Sequence, residues 1–320
     1  MIAASPLDQR HPSFTPEHEA LRRTVERFVQ EQVLPQADAW EEAGLVPREV
    51  LRAMGALGLL GVRFEARWGG SELDTMATVA MAARRDADGW VLDGSKIFIT
   101  NGIHGDVFFV AAKTGAAGRN HQISMFIVEK GAPGFSVSEP LKKHGWLSSD
   151  TAELRFDGCR LPAGSLLGEE NRGFHALVKN LQNERLVLAA QAIGEASKGI
   201  ELTLQWVVQR KAFGATLWDK QAIRQRLAMQ LARVEAARAL LYNTAWRHSA
   251  GQDVVAEASM LKALCGTLVN EVMYDCVQFH RGTGYIRESP IERMARDARI
   301  QAIGGGATEV MLDEIAKRMV

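Results

Sequence analysis

A single acidic residue, Glu184, interrupts an apolar stretch of the chain, LVKNLQNERLVLAA. A carboxylate on such a helix is either solvated or ion-paired, or it is held in an apolar pocket. In the pocket, burial disfavours the charged form and makes the group a stronger base. Composition alone favours the solvated interpretation, because glutamate is seldom buried. Residue type and setting therefore nominate Glu184 as a general base without establishing that role.

A run of three glycines, Gly304 to Gly306, precedes the last segment with helical spacing. Backbone N–H groups at a helix start carry the positive end of the helix dipole, so this run can seat an anion or a developing oxyanion. The alternative is a flexible link between two helices. The run Arg210-Lys211-Ala212-Phe213-Gly214 is equally typical of an ordinary helix end, with basic residues near the negative pole followed by glycine.

The bulk composition excludes several classes of protein. Lys plus Arg and Asp plus Glu both number 38, so the chain lacks the basic excess of a general nucleic-acid or membrane-surface binder. Its three cysteines, Cys159, Cys265 and Cys276, form no CxxC pair and have no histidine at ligand spacing. We therefore expect neither a disulfide framework nor a metal site.

Targeting and common cofactor signatures are also missing from the sequence. The N-terminus, MIAASPLDQRHPSF, has an acid and prolines where a signal peptide needs an apolar run, and no stretch reaches the apolar length of a membrane span. The chain has no nucleophile elbow, phosphate loop or dinucleotide fingerprint. We expect a cytoplasmic protein in a reducing setting, with no nucleic-acid or membrane partner.

Helical patterns occupy both ends of the chain. In residues 1–75, Thr15-Pro16-Glu17 predicts a helix start, Pro35 its end, and a second helix is expected around 47–59. In residues 166–320, apolar residues recur at spacings of three and four, which predicts an antiparallel bundle of long helices. These helices are expected at 171–210, 221–250, 253–280, 289–302 and 307–319.

A β-rich region, residues 76–165, separates the two helical ones. Asp93-Gly94 predicts a tight hairpin turn between strands at 90–92 and 97–99. Further strands are expected at 107–110, 123–128 and 152–156. Four or five antiparallel strands predict a small barrel or sandwich. Helices, then strands, then a helical bundle make an α+β fold.

Six motifs follow one another along the chain: WVLDGSKIFITNG, DTAELRFDGCRLPAGSLLGEENRGF, QNERLVLAA, QRKAFG with Gln221 beyond it, YDCVQFHRGTGY, and RDARIQAIGGGATEVM. In this order they resemble the acyl-CoA dehydrogenase family, most of all its long-chain and isovaleryl members. The resemblance covers the chain from Asp86 to Val320, with a weaker helical likeness at 14–70. It implies an FAD-dependent enzyme that oxidises the Cα–Cβ bond of an acyl-CoA thioester to the 2-enoyl-CoA.

The resemblance implies a specific role for Glu184. In the family a glutamate removes the α proton while the β hydrogen leaves as hydride to flavin N5, and the thioester carbonyl must be polarised at the same time. Most members carry that glutamate in the late motif, where this chain has Gly305. Long-chain and isovaleryl members carry it in an earlier Glu-Arg pair, which Glu184-Arg185 matches. Gly305 then leaves room for the substrate and offers its N–H to the carbonyl.

The same resemblance implies the ligand contacts and the partners. Phe98, Ile99 and Thr100 are implied to lie against the isoalloxazine ring. Arg210 and Gln221, with Phe213 between them, are implied to reach the FAD diphosphate of a neighbouring subunit. The segment Gln278 to Gly282 is implied to hold the adenosine side, and Ala307, Thr308 and Glu309 to make the last flavin contacts. Acyl-CoA contacts are implied for His175, Gln182, Asn183, Arg185, Gly305 and Gly306. The expected assembly is a homo-oligomer, a dimer or tetramer, and the expected electron acceptor is an electron-transferring flavoprotein.

The chain departs from the family pattern after the loop at Trp68-Gly69-Gly70. Family members continue there with three more helices and a strand that ends in a Thr-Glu-Pro loop gripping flavin and substrate. Here the loop runs almost directly into the β-rich region, so we expect a truncated N-terminal region, a lost first strand and an unpaired sheet edge. Smaller departures are Arg281 in place of glycine, Gly304 in place of tyrosine, and Ala307 in place of a hydroxyl residue.

Two interpretations of function follow. In the first, the chain is an acyl-CoA dehydrogenase with a compact N-terminal part, supported by Glu184, Arg210, Gln221 and Gln278. In the second, it is a catalytically weakened or inactive relative that serves as a structural or oligomeric partner, supported by the missing loop. A flavin-dependent oxidase or monooxygenase on the same fold is a third class, disfavoured because such relatives usually change the glutamate.

Overall fold

The computed structural model describes residues 14–60, 81–115 and 122–320, without the side chains of 174–181. Two compact units divide the chain. One comprises residues 18–179, and the other comprises 180–320 together with the N-terminal residues up to Glu17. The three-part division into 1–75, 76–165 and 166–320 stays a prediction.

The N-terminal helices follow one another with little interruption. Helix α1 covers Pro16–Phe28, and a π-helical turn and a 3-10 turn then lead into α2, Ala37–Ala43; α3 covers Arg48–Ala56. The expected helix end at Pro35 is wrong. Pro35 lies in the first turn of the 3-10 segment, where its missing N–H has no partner to lose, and the chain continues into α2.

A single hydrogen-bonded sheet of seven strands, more than the four or five expected, forms the β part of its unit. The strands are β1 Ala82–Asp86, β2 Gly89–Thr100, β3 Val107–Lys113, β4 Ile123–Glu129, β5 Phe135–Val137, β6 Thr151–Pro162 and β7 Leu166–Leu167, in the spatial order β5-β6-β2-β1-β3-β4-β7. All neighbours are antiparallel except β1 and β3, which share one parallel residue pair, Ala82 with Lys113. The strands expected at 107–110, 123–128 and 152–156 are confirmed.

The expected hairpin turn at Asp93-Gly94 is wrong. Both residues lie inside β2, which pairs with β6 on either side of them, Leu92 with Cys159 and Gly94 with Phe156. The register shifts between these pairs, which marks a bulge, and the Asp93 carboxylate accepts a hydrogen bond of 2.7 Å from the Gly158 N–H. The turn that reverses the chain falls earlier, between β1 and β2.

The helical unit contains five helices among its described residues. They are α4 Gly173–Gln209 (which begins in the other unit), α5 Gln221–Ser249, α6 Val255–His280, α7 Pro290–Ala298 and α8 Thr308–Ala316. A short hairpin, β8 Lys211–Ala212 with β9 Ala215–Thr216, joins α4 to α5. The five helices expected from apolar spacing are confirmed within a few residues. Buried residues of α4, α5, α6 and α7 form the main apolar core, and Val207, Leu217 and Leu227 form a smaller separate cluster. The α+β fold is confirmed. No helix in the described ranges has the length and apolar character needed to cross a membrane.

Candidate active site

Glu184 lies on α4 with its side chain half-buried, and its Oε2 atom is shielded from solvent. Leu188 follows it by four residues, so the two side chains share one face of the helix, one turn apart. The carboxylate therefore stands on the α4 face that carries Leu188.

The glycine run lies against that face. A Cβ built on Gly305 would come within 2.2 Å of Leu188 Cδ1, which shows how closely the backbone approaches α4. Gly305 has φ of +66° and Gly306 has φ of +99°, conformations that suit glycine. Glu184 is thus about one helical turn from the backbone that begins α8, the arrangement that a base and a carbonyl-polarising turn require together.

Two buried cations interact with each other here, and one of them, Lys262, contacts the glycine run. Arg185 Nη1 donates to Ser259 Oγ on α6 at 3.2 Å, and its Nε has no hydrogen-bond partner in the described part of the chain. Lys262 on α6 donates from Nζ to the Gly306 carbonyl. Burial lowers the pKa of both groups, that of Lys262 to about 8, and each cation is partly balanced by a carboxylate.

Glu314 is a second carboxylate near Arg185, but it is committed elsewhere. It forms a salt bridge with Arg318 on the same helical turn, and the hydrogen bond from Arg318 lowers the pKa of Glu314. A lowered pKa makes a carboxylate a poorer base. Glu314 is therefore a poor candidate for a proton-abstracting role.

Of the other predicted substrate contacts, Asn183 has the best-defined setting. Its Oδ1 accepts a hydrogen bond of 2.7 Å from His248 Nε2 near the end of α5. Gln182 is half-buried on the preceding position of α4. His175 also lies on α4, but its side chain is outside the described atoms.

The predicted diphosphate and adenosine contacts gather at the opposite end of the bundle. Trp206 ties the end of α4 to the end of α6, since its Nε1 donates to the Phe279 carbonyl at 3.1 Å and its ring stacks on His280. The Arg210 guanidinium lies 5.9 Å from the Trp206 ring centroid. Trp206 therefore brings Arg210 close to the Gln278–Gly282 segment.

Phe213, Gln221, Gln278 and Gly282 are all exposed near this end of the bundle. Helix α4 ends at Gln209, which confirms the helix end expected at this basic run, and Phe213, with φ of +53°, lies at the tip of the β8–β9 hairpin that follows. Gln221 is the first residue of α5. We call these exposed residues, together with Arg210, the Arg210 patch.

The Arg210 patch is far from Glu184 within one chain. Both lie along α4, and at about 1.5 Å per residue the stretch from Glu184 to Gln209 spans about 38 Å. The residues brought together around Glu184 and those brought together around Arg210 therefore form two separate places on the bundle.

A cavity of about 460 Å³ opens between α5, α6 and the start of α8. Predicted flavin contacts Thr308 and Glu309 line it, together with the guanidinium groups of Arg226 and Arg299. Ala307 caps α8 next to it. Arg226 is held in place by a 2.7 Å salt bridge to the buried Asp275, and the hydrogen bond that its Nε donates to the Asp275 carboxylate raises the pKa of Arg226. Glu271 and Glu309 also line the cavity, so its lining carries charges of both signs at the start of α8.

In the β unit, the predicted ring-contacting segment lies at the end of β2. Phe98 is 73% exposed with φ of +65°, and Thr100 is exposed, whereas Ile99 is buried. The register between β2 and β6 shifts between Lys96 and Ile99. Phe98 and Thr100 thus present side chains outward, while Ile99 offers its backbone alone.

No cluster of metal-ligating side chains occurs among the described residues. The cysteines are buried, and burial raises the pKa of Cys265 to about 12 and that of Cys276 to about 11. These thiols are therefore unreactive core residues.

Sequence reasoning missed several residues that shape the site, foremost Lys262, Ser259, Leu188 and Trp206. Lys262 carried a usable signal, because it is a lysine within the apolar run SMLKALCG on a helix. A charged residue at a core position requires a polar partner, so the place of Lys262 within an apolar run indicates a buried polar contact.

The fold and this site define a class of enzyme: a helical bundle joined to a β unit, with a carboxylate beside a backbone turn suited to polarising a carbonyl. Family models described as the N-terminal, middle and C-terminal domains of acyl-CoA dehydrogenase match residues 15–95, 66–159 and 171–320. The chain belongs to the acyl-CoA dehydrogenase family.

Individual relatives agree with the family models. The chain is 35% identical to the mitochondrial long-chain specific acyl-CoA dehydrogenase of Sus scrofa, covering 96% of this chain and 87% of the relative. It is 28% identical to mitochondrial isovaleryl-CoA dehydrogenase of Pongo abelii, covering 95% and 89%. The crystal structure of a probable acyl CoA dehydrogenase from Mycobacterium abscessus matches with a TM-score of 0.91 at 33% identity, covering 96% and 99%.

Proposed function

We propose that this chain is an FAD-dependent acyl-CoA dehydrogenase that converts an acyl-CoA thioester to the 2-enoyl-CoA, with Glu184 as the base that removes the α proton. The observation that carries the proposal is the approach of the glycine run to the Glu184 face of α4, through Gly305 and Leu188. The half-buried Glu184 lies one turn along α4 from Leu188, which meets the backbone expected to hold the thioester carbonyl.

The chemistry needs both groups at once. An α proton is weakly acidic, so the carbonyl must gain hydrogen-bond stabilisation as the base pulls. Glu184 takes the proton, and the Gly305 N–H donates to the carbonyl oxygen. Arg185, Gln182, Asn183, His175 and Gly306 orient the acyl-CoA around it. Bound FAD supplies the acceptor for the β hydrogen, which leaves as hydride.

The residues expected to hold FAD suit that group. The cavity at the start of α8 combines Thr308 and Glu309 with two guanidinium groups, and the Arg210 patch offers Gln221, Gln278, Gly282 and Phe213. Ala307 is the N-cap position of α8, and within the β unit Phe98, Ile99 and Thr100 are the residues proposed to contact the isoalloxazine ring.

The span of about 38 Å between Glu184 and the end of α4 supports the proposal that the Arg210 patch serves the flavin of a neighbouring copy. We therefore propose a homo-oligomer. Its electron acceptor in this proposal is an electron-transferring flavoprotein.

A specific observation keeps the second interpretation open. The alignment to the Sus scrofa relative spans 375 positions, more than the 320 residues of this chain, so this chain has no residue at some aligned positions. The N-terminal and middle family models overlap, because both match residues 66–95. These findings support the proposal of an internal deletion after Trp68-Gly69-Gly70, which lie outside the described residues. A chain without the flavin-gripping loop would be a weakened or inactive oligomeric partner.

The visible spectrum of the purified protein separates the two interpretations. A dehydrogenase binds FAD, is yellow, and bleaches when an acyl-CoA is added without oxygen. A protein that stays colourless after incubation with FAD contradicts the enzyme proposal and supports the partner role.

A matched pair of variants then tests the base. Glu184→Gln removes the proton acceptor and should abolish bleaching while leaving FAD bound. Glu201→Gln is the control, because Glu201 lies on the same helix, is 47% exposed and is paired only with Lys198 among its ionic contacts in the described residues. Bleaching by the Glu184→Gln protein at the rate of the control would remove Glu184 from this role.

A further inference from the structure

Lys262 is a buried cation that the proposed reaction does not use. Its side chain is 1% exposed on α6, next to the apolar residues Leu261 and Ala263. Taking an ammonium group out of water is costly unless a polar partner compensates for it. The Gly306 carbonyl is that partner, since Nζ donates to it.

The surrounding charges shape this contact. Burial lowers the pKa of Lys262 to about 8, the positive charge of Arg185 lowers it further, and the carboxylate of Glu309 acts in the opposite direction. The amine can donate to the Gly306 carbonyl in either protonation state, because a neutral amine retains N–H groups. This hydrogen bond from Lys262 to the Gly306 carbonyl, the Lys262 tether, therefore persists on both sides of neutral pH.

The Lys262 tether holds the part of the site whose backbone has the greatest conformational freedom. Three consecutive glycines restrict their own backbone little, and two of them have positive φ. None of the described peptide bonds is cis, and in a planar trans peptide the carbonyl and the following N–H point in opposite directions. Holding the Gly306 carbonyl toward α6 therefore turns the Ala307 N–H away from Lys262 and restricts the glycine run as a whole.

We propose that Lys262 is the positioning residue of the glycine run: by holding the Gly306 carbonyl it fixes the backbone N–H groups that bind the thioester carbonyl. This inference rests on the proposed function, because it assigns Lys262 to the carbonyl seat of that reaction. Lys262 itself would touch neither substrate nor cofactor.

The test compares two CoA ligands that differ only in the carbonyl. An acyl-CoA thioester and the S-alkyl-CoA thioether of the same chain length are titrated calorimetrically into the FAD-bound protein, in the Glu184→Gln background so that no turnover occurs. Lys262→Met, which keeps the bulk but removes the donor, should weaken thioester binding about tenfold and thioether binding less than about twofold. Lys198→Met, an exposed lysine on α4, is the control and should change neither.

The outcomes separate this inference from the proposed function. If the protein with Lys262 intact shows no preference for the thioester, the carbonyl seat is wrong and both ideas fall. If it does show the preference and Lys262→Met keeps it, or loses affinity for both ligands equally, the positioning role alone is wrong.

A second variant and a second measurement test the same inference if Lys262→Met folds poorly. Lys262→Gln keeps a shorter N–H donor, and amide hydrogen exchange at residues 304–307 should be several-fold faster in it than in the unsubstituted protein, with exchange in α4 and α5 unchanged. Unchanged exchange at 304–307 would overturn the inference.

Discussion

Replacing Gly305 by alanine tests the geometry on which the site depends. The backbone at Gly305 has φ of +66°, and an L-residue in that region costs about 1–2 kcal/mol. The new Cβ would also lie 2.2 Å from Leu188 Cδ1, the movable end of a side chain, so Leu188 can turn away at a cost of about 1 kcal/mol. The sum predicts that Gly305→Ala lowers the free energy of unfolding by about 2–3 kcal/mol.

Urea denaturation of the FAD-saturated protein measures this loss, with Gly304→Ala as the matched control. Gly304 is the adjacent glycine, and a Cβ there would meet Ile300 at an ordinary 3.5 Å, so its substitution should cost less than about 1 kcal/mol. Adding Leu188→Ala to Gly305→Ala should show a favourable coupling, since the clash is then gone and only the backbone strain remains. Equal losses for Gly304→Ala and Gly305→Ala would refute the close approach of the glycine run to α4.

Three further predictions concern residues outside this turn. Arg281 has φ of +56° and ψ of −135°, so Arg281→Gly should raise the free energy of unfolding by about 1 kcal/mol, the strain relieved less the entropy glycine adds to the unfolded chain; a loss of stability in urea denaturation would contradict this. Burial raises the pKa of Glu195, although the 3.0 Å hydrogen bond from Gln191 acts in the opposite direction. The protonated carboxyl of Glu195 therefore favours the folded state at low pH, and this stabilisation is lost as pH rises through the folded-state pKa. Glu195→Gln should therefore gain melting temperature relative to the unsubstituted protein as pH rises from about 5 to about 8, and a difference independent of pH would count against it. Trp206→Phe keeps a ring against His280 but removes the donor to Phe279, and should cost about 1 kcal/mol in the same urea assay, whereas no loss would show that this bond does not matter.

The helical bundle could be predicted from the sequence because its signal is local and repeated. Apolar residues at spacings of three and four run through α4, α5 and α6, and their predicted bounds lie within a few residues of the observed ones. The position of Glu184 on α4 followed from the same pattern. Only the structure shows that Leu188 and Gly305 meet beside it.

The sheet was harder to predict because its strands depend on their neighbours. Asp93-Gly94 has the local chemistry of a hairpin turn, yet pairing of β2 with β6 on both sides keeps the chain extended and turns the pair into a bulge. The strand β1, with sequence AARRD, has little strand propensity and exists through its pairing with β2. In both cases tertiary pairing overrides the local preference.

The buried contacts of the site were out of reach for a similar reason. Lys262 and Gly306 are far apart in sequence, and no local pattern indicates that one holds the other. The same is true of Trp206 and Phe279, which join the ends of α4 and α6. Such pairs are set by how helices pack, and periodicity does not encode the partner.

Deuterium exchange at the substrate α carbon tests the central claim most directly, because it reports proton removal apart from hydride transfer. The FAD-bound protein is incubated without oxygen in D2O with an acyl-CoA, and deuterium at Cα is measured by mass spectrometry in the remaining substrate and in the enoyl product. With Glu184 as the base, we expect rapid incorporation by the Glu201→Gln control and almost none by Glu184→Gln. Equal incorporation by both proteins would show that another group removes the proton.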